Sequence, residues 1–272
     1  MALDLSRRIN AERIVVLGWT RAILLQLAHP LVAAGVARHS TFRGGARAAV
    51  SRLHGTIGAM LAIAFGDSRE REQALDGIRE IHRRVNGTLT TACGPFPAGT
   101  RYSAEDAELL LWVHATLIDS VALTYDRLVA PLSDRERDQY CAEGASVAIE
   151  LGANDRLVPR EWASLQAYLE GMYATRTITV CTEARELAAA VLSPFSSPLA
   201  TPVSAMTTLL TTGLLPAHIR RAYDLPWNSR RDRAFTAAME MLRVTRAVLP
   251  RRVAWWPQAR ALLSGTPPPS AR

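Results

Sequence analysis

The sequence predicts an all-α protein folded as a single multi-helical domain. Three observations carry that expectation. Apolar residues recur at three- and four-residue spacing over most of the 272 positions. Capping and stop signals bracket those runs, and β-branched alternating stretches are scarce. Hydrophobic residues make up 49% of the chain and aromatics only 6%, the composition of an Ala/Leu/Val-rich core. With no compositional break, one domain is expected over residues 1–263, followed by a Pro-rich tail at 264–272.

Taken in order, helices are expected over 11–26, 30–39, 46–65, 69–86, 104–128, 134–151, 160–172, 183–192, 206–214, 217–223, 230–249 and 256–263. Ser103 ahead of Glu105 and Asp106, and Ser133 ahead of Arg135 and Glu136, supply N-caps with acids opposing the helix dipole. Gly66-Asp67, Gly87, Gly94-Pro95 and Gly152 punctuate the ends. The longest loop of the front half spans 88–102. The β-branched run Thr177-Ile178-Thr179-Val180 lies between helical runs and reads as helical with them. The uncharged stretch 187–217, broken by four prolines, reads as an irregular connection that rests on a membrane surface.

All 32 basic residues are arginine, giving a net charge of +7. No Asp or Glu occurs from position 13 to 66, where Arg13, Arg21, Arg38, Arg43, Arg47 and Arg52 stand. Such a field suits an anionic partner such as phosphate, propionate or an anionic lipid surface. Dense basic runs with interleaved aromatics are missing, so no nucleic-acid partner is expected. Cys93, Cys141 and Cys181 are odd in number and far apart, and read as small buried hydrophobes in a reducing compartment. The first residues lack the apolar core of a signal peptide, and the two apolar stretches 22–36 and 187–217 are too short or too interrupted to span a bilayer. A cytoplasmic location with peripheral membrane contact is the corresponding expectation.

Several chemistries find no motif. H-E-x-x-H, the Glu-x-x-His pairs of di-iron bundles, the nucleophile elbow, the P-loop and the dinucleotide fingerprint are all absent, as is C-x-x-C-H for covalent haem. Of six histidines, His82 stands out. Leu75, Ile78, His82 and Val85 form one helical stripe, so its imidazole is directed at the apolar interior. Two readings stay open there: a core histidine bonded to a backbone carbonyl, or a ligand of a metal or haem iron. His114, within an apolar helix, is the rival ligand; His29, before Pro30, reads as a brace at a helix junction. Arg52 and Thr56, four apart, share a helix face beside the stripe Leu53, Ile57, Met60, Leu61 and Ala64.

An ordered set of short stretches carries a resemblance. These are QLAHPLVAAGVARHS at 26–40, Arg52…Thr56…Phe65-Gly66, Ile81-His82…Val85…Gly87, YSAED at 102–106, LWVHATL at 111–117, Pro131-Leu132-Ser133…Asp138-Gln139-Tyr140, and Leu215-Pro216…Arg220…Tyr223. The chain resembles the MpaB-like oxygenases, which include the latex-clearing rubber oxygenases. The resemblance implies a globin-like helical core holding a non-covalent haem b, with His82 as the iron's axial ligand and with Arg52 and Thr56 on the opposite, oxygen-binding side. Arg52, also a cofactor-binding residue in that reading, would stabilise negative charge developing on oxygen, and Thr56 would add a hydroxyl donor. The implied activity is a haem-dependent oxygenase that combines O₂ with an unsaturated apolar substrate, such as an isoprenoid or lipid alkene. The other functional class is a haem-binding protein without turnover. One departure stands out: rubber oxygenases carry a glutamate upstream of the distal arginine, and residues 13–66 hold no carboxylate. A substrate smaller than an extracellular polymer is the matching expectation.

Overall fold

The computed structural model describes residues 4–39, 45–193 and 201–264, and of residues 45–54 and 201 the backbone alone. Its elements are α1 (Leu5–Asn10), a 3₁₀ turn (Arg13–Val15), α2 (Val16–Leu27), α3 (Pro30–His39), α4 (Gly45–Phe65), α5 (Ser68–Arg84), β1 (Asn86–Thr88), β2 (Arg101–Ser103), α6 (Ala107–Leu128), α7 (Asp134–Glu150), α8 (Trp162–Ala174), α9 (Thr182–Leu192), α10 (Thr201–Leu214), α11 (Ala217–Ala222), α12 (Ser229–Val248), α13 (Arg251–Ala254) and α14 (Pro257–Ser264). The all-α expectation holds, with one two-stranded antiparallel sheet added.

Helix α6 is the axis of the core. Trp112, Ala115, Val121 and Leu128 are buried along it, as are Thr116, Ser120 and Thr124. The three hydroxyls donate to carbonyls one turn back, Trp112 O, Thr116 O and Ser120 O, so buried polar side chains are satisfied within the helix. By length and apolar composition α6 would cross a bilayer, yet most of that surface is covered by the fold itself. Helix α2 lies along α6 at close range. Gly18 makes this possible, since a Cβ there would come 2.5 Å from the Ser120 carbonyl oxygen.

A buried ion pair locks the two helices. The Arg21 Nη1 donates to Asp119 Oδ2 at 2.7 Å and to Ser120 Oγ at 2.6 Å, and its Nε donates to the Leu214 carbonyl at 2.9 Å. Gln166 of α8 donates to the other Asp119 oxygen at 3.0 Å. Four helices, α2, α6, α8 and α10, therefore meet at one satisfied charge pair. A second buried carboxylate, Glu12, accepts from Arg246 of α12 and, at 2.7 Å, from Trp255 Nε1. It fastens the amino-terminal turn to the last helices.

The structure corrects several expectations. Helix α6 begins at Ala107, not 104, because Ser103 belongs to β2 and Asp106 supplies the cap, accepting from Glu108 N and Leu109 N. Helix α5 stops at Arg84, since Asn86–Thr88 pairs with Arg101–Ser103. Ser133 and Glu136 do form the expected capping box at α7, and Asp67 with Glu70 forms another at α5. The stretch 187–217 is not irregular throughout, because α9 continues to Leu192 and α10 and α11 occupy much of the rest. Residues 194–200, with Pro194 and Pro198, and the expected tail beyond 264 lie outside the described residues. The run 177–180 is not helical. It is drawn into loop packing by a Cys93–Cys181 disulfide, which corrects the reading of those two cysteines as free; Cys141 is free and buried. The arginine field is also reduced. Arg21 is paired in the interior, and Arg13 stacks on the Trp256 ring at 5.3 Å.

Breaking the central pair should be severe because it strands a buried cation. Asp119→Ala is expected to lower unfolding free energy by about 3–5 kcal/mol, read as a lower urea midpoint at unchanged slope. Arg21→Met with Asp119→Leu together should recover most of that loss, since neither charge is then left unpaired.

Candidate functional site

Sequence dictates a sharp break after α2, where Pro30 has no N–H to continue the helix. The chain bends there by 106° into α3. His29 braces the corner as expected: its Nδ1 accepts from Leu31 N at 3.2 Å, and its ring lies 5.4 Å from that of Phe96. Burial pushes the His29 pKa down to about 4, with Asp106 acting weakly the other way.

The bend carries α3 across the β1–β2 pair. Gly87 stands opposite Tyr102, and a Cβ at Gly87 would lie 2.7 Å from the Tyr102 hydroxyl oxygen. A Cβ at Gly35 of α3 would come 3.2 Å from Val85 Cγ1. Two glycines thus let α3, the end of α5 and the strands converge. Between them and α6 lies a cavity of about 220 Å³, lined by Gln26, Val36, His39, His82, Tyr102 and Val113 among others. His39 Nε2 is 3.0 Å from the Asn86 carbonyl oxygen and closes the rim.

His82 is half-buried on the wall of this cavity. Its stripe dips deepest at Leu75, which is fully buried, while Ile78 and Val85 are only partly covered. The expectation of a core-directed imidazole is therefore refined. Helix α5 ends two residues later and turns into β1, so its last turn faces a cavity and not close-packed side chains. Burial lowers the His82 pKa, outweighing the pull of Glu105, and favours the neutral imidazole. Among the described residues its ring makes no hydrogen bond.

Thr56 occupies an exposed position on α4 and does not line this cavity. The Arg52 and His54 side chains lie outside the described residues. The structure therefore does not bring all three sequence candidates together. It adds residues that sequence reasoning missed, above all Tyr102, whose buried hydroxyl has no hydrogen-bond partner among the described residues. The only signal for it was its place in the YSAED string. His218 is exposed at the start of α11, with its ring 4.7 Å from that of Tyr173.

The residues present suit a haem group. A neutral imidazole on a mainly apolar wall is the donor that haem iron takes, and one side chain suffices. The partnerless Tyr102 hydroxyl leaves a polar contact for a bound group to fill. Among the described residues no group of three or more His, Cys, Asp or Glu side chains comes together as a metal cluster. At about 220 Å³ the cavity is smaller than the roughly 300–1,000 Å³ of enclosed ligand sites.

With that geometry in view, comparison with known proteins is informative. A family model described as "ER-bound oxygenase mpaB/B'/Rubber oxygenase, catalytic domain" matches residues 6–244. The chain belongs to this family of oxygenase catalytic domains. No curated protein and no solved structure gave a match.

The depressed His29 pKa fixes a pH dependence. Between pH 6.5 and about 4 the unfolded chain takes up a proton that the folded chain refuses. Its contribution is thus fully present above pH 6.5, declines as pH falls, and levels off below about 4. The loss at pH 4 is expected to be about 3 kcal/mol. His29→Asn, which keeps an acceptor for Leu31 N, should remove that share of the decline in urea unfolding measured from pH 7 to 4.

Proposed function

We propose that this chain is a haem-dependent oxygenase acting on a small, unsaturated, apolar substrate of isoprenoid or lipid type. The observation that carries the reading is His82, a neutral imidazole on an apolar cavity wall in a chain of oxygenase family. When bound, haem would supply iron with one position open for O₂. His82 would hold the iron from one side. Arg52, on α4, would donate hydrogen bonds to negative charge developing on oxygen; Thr56, exposed and off the cavity wall, is assigned no part there. The Val36, Val85 and Val113 side of the cavity would bind a hydrocarbon by burial and keep water away.

Residues 13–66 contain no carboxylate, which supports a substrate whose conversion needs no glutamate base on that side. It also favours the second reading, a haem-binding protein without turnover. The Cys93–Cys181 bond favours oxidising surroundings over the cytoplasm as the place of action.

Purified protein reconstituted with haem should show a Soret band that is lost in His82→Ala and kept in His114→Ala. Absence of the band in the wild type after reconstitution would refute both readings. Arg52→Ala should keep the band and lose about a hundredfold or more in O₂ consumption with an isoprenoid alkene. Haem retention without any O₂ consumption across a panel of alkenes would leave the binder as the correct reading.

A further inference from the structure

A second cavity lies further along α6, beside the turns from His114 to Val121. It encloses about 300 Å³ between α1, α4, α6 and α7. One wall is apolar, formed by Met60, Ile63 and Ala64 of α4 with Leu117, Ile118 and Val121 of α6. The other wall is polar, and almost all of it is already partnered. Arg7 pairs with Asp4 and donates to the Ala64 carbonyl; Arg71 is held by both Glu150 oxygens. Glu143 accepts from Ser6 N and from Gln139, each at 2.6 Å. Asn10 donates to Ser6 O and is bonded to the buried Tyr140.

His114 is the exception. It lies deep enough for desolvation alone to push its pKa down to about 4, so the ring is neutral. Among the described residues it makes no hydrogen bond, and it lines this cavity. A Cβ at Gly144 of α7 would lie 3.6 Å from His114 Cε1 and 2.7 Å from Ile118 Cδ1. Glycine at this position keeps α7 close without filling the space beside the ring. A neutral imidazole offers one N–H donor and one nitrogen acceptor, and the half-buried His114 ring borders the cavity with both free to meet a bound polar group.

We propose that this cavity is a binding site for a neutral aliphatic alcohol whose hydroxyl exchanges hydrogen bonds with His114 and whose chain lies on the α4–α6 wall. Since water takes about 30 Å³ per molecule, about ten non-hydrogen atoms fill it. A carboxylate is disfavoured because Arg7 and Arg71 are already paired and the wall carries the Glu143 carboxyl group. An alkane would leave the imidazole unsatisfied. The site is separate from His82, and its test does not require haem.

Nonanol, nonane and nonanoate can be compared by calorimetry on the full-length protein, with nitrogen NMR of the His114 ring as the local readout. Nonanol should bind at least tenfold tighter than either of the others and shift the ring nitrogens. His114→Leu should cost nonanol about tenfold and leave nonane unchanged or tighter, while His114→Gln, which keeps a donor and an acceptor, should retain most of the affinity. Circular dichroism checks that both variants fold; if His114→Leu does not, His114→Gln and the wild-type ring shift decide the matter. The proposal is overturned if nonanoate binds more tightly than nonanol, if His114→Leu binds nonanol as well as the wild type, or if saturation leaves the His114 nitrogens unmoved.

Discussion

The Arg21–Asp119 ion pair is the constraint on which the rest of the architecture depends. Removing two charges from water costs more than one contact returns, and such a pair is tolerated only when the remaining donors and acceptors are met. Here they are met by Ser120, Leu214 O and Gln166. The pair therefore acts less as glue than as a register mark, because only one axial setting of α2 against α6 satisfies every group. Gly18 against the Ser120 carbonyl imposes the same setting sterically.

Once α6 is fixed, its neighbouring residues serve different spaces. Val113 and Leu110 face the cavity that holds His82, whereas His114, Leu117 and Val121 face the second cavity. Leu110 and His114, like Val113 and Leu117, are four apart and share a face, so successive turns of one rigid rod wall two neighbouring sites. The apolar character of α6 resembles that of a membrane span but is used to pack α1, α2, α7, α8 and α12 and to line these cavities.

The first cavity also depends on structure away from the helices. A three-residue strand pair and the Cys93–Cys181 bond hold the 88–102 loop against α3 and against the segment before α9. Phe96 on that loop packs at a tilt against the His29 ring, so the loop and the Pro30 corner support each other. The wall bearing Tyr102 is in place only because Gly35 and Gly87 permit the approach.

The helices were legible because their information is local. The apolar spacing and the Pro30 corner defined α3 to the residue, and Ser133 with Glu136 marked the start of α7. His82 was legible as a candidate for the same reason, as was the family, through short strings in a fixed order. The strands were not. Asn86-Gly87-Thr88 has no strand propensity of its own and pairs only because Tyr102 is brought opposite. Partners distant in sequence were equally hidden: Asp119 for Arg21, Cys181 for Cys93, Arg246 for Glu12. Local pattern determined which segments are helical and which face of each is apolar. Tertiary structure alone decided which buried charges meet, which thiols join and which histidines border a cavity, because those outcomes depend on contacts between residues about ninety or more positions apart.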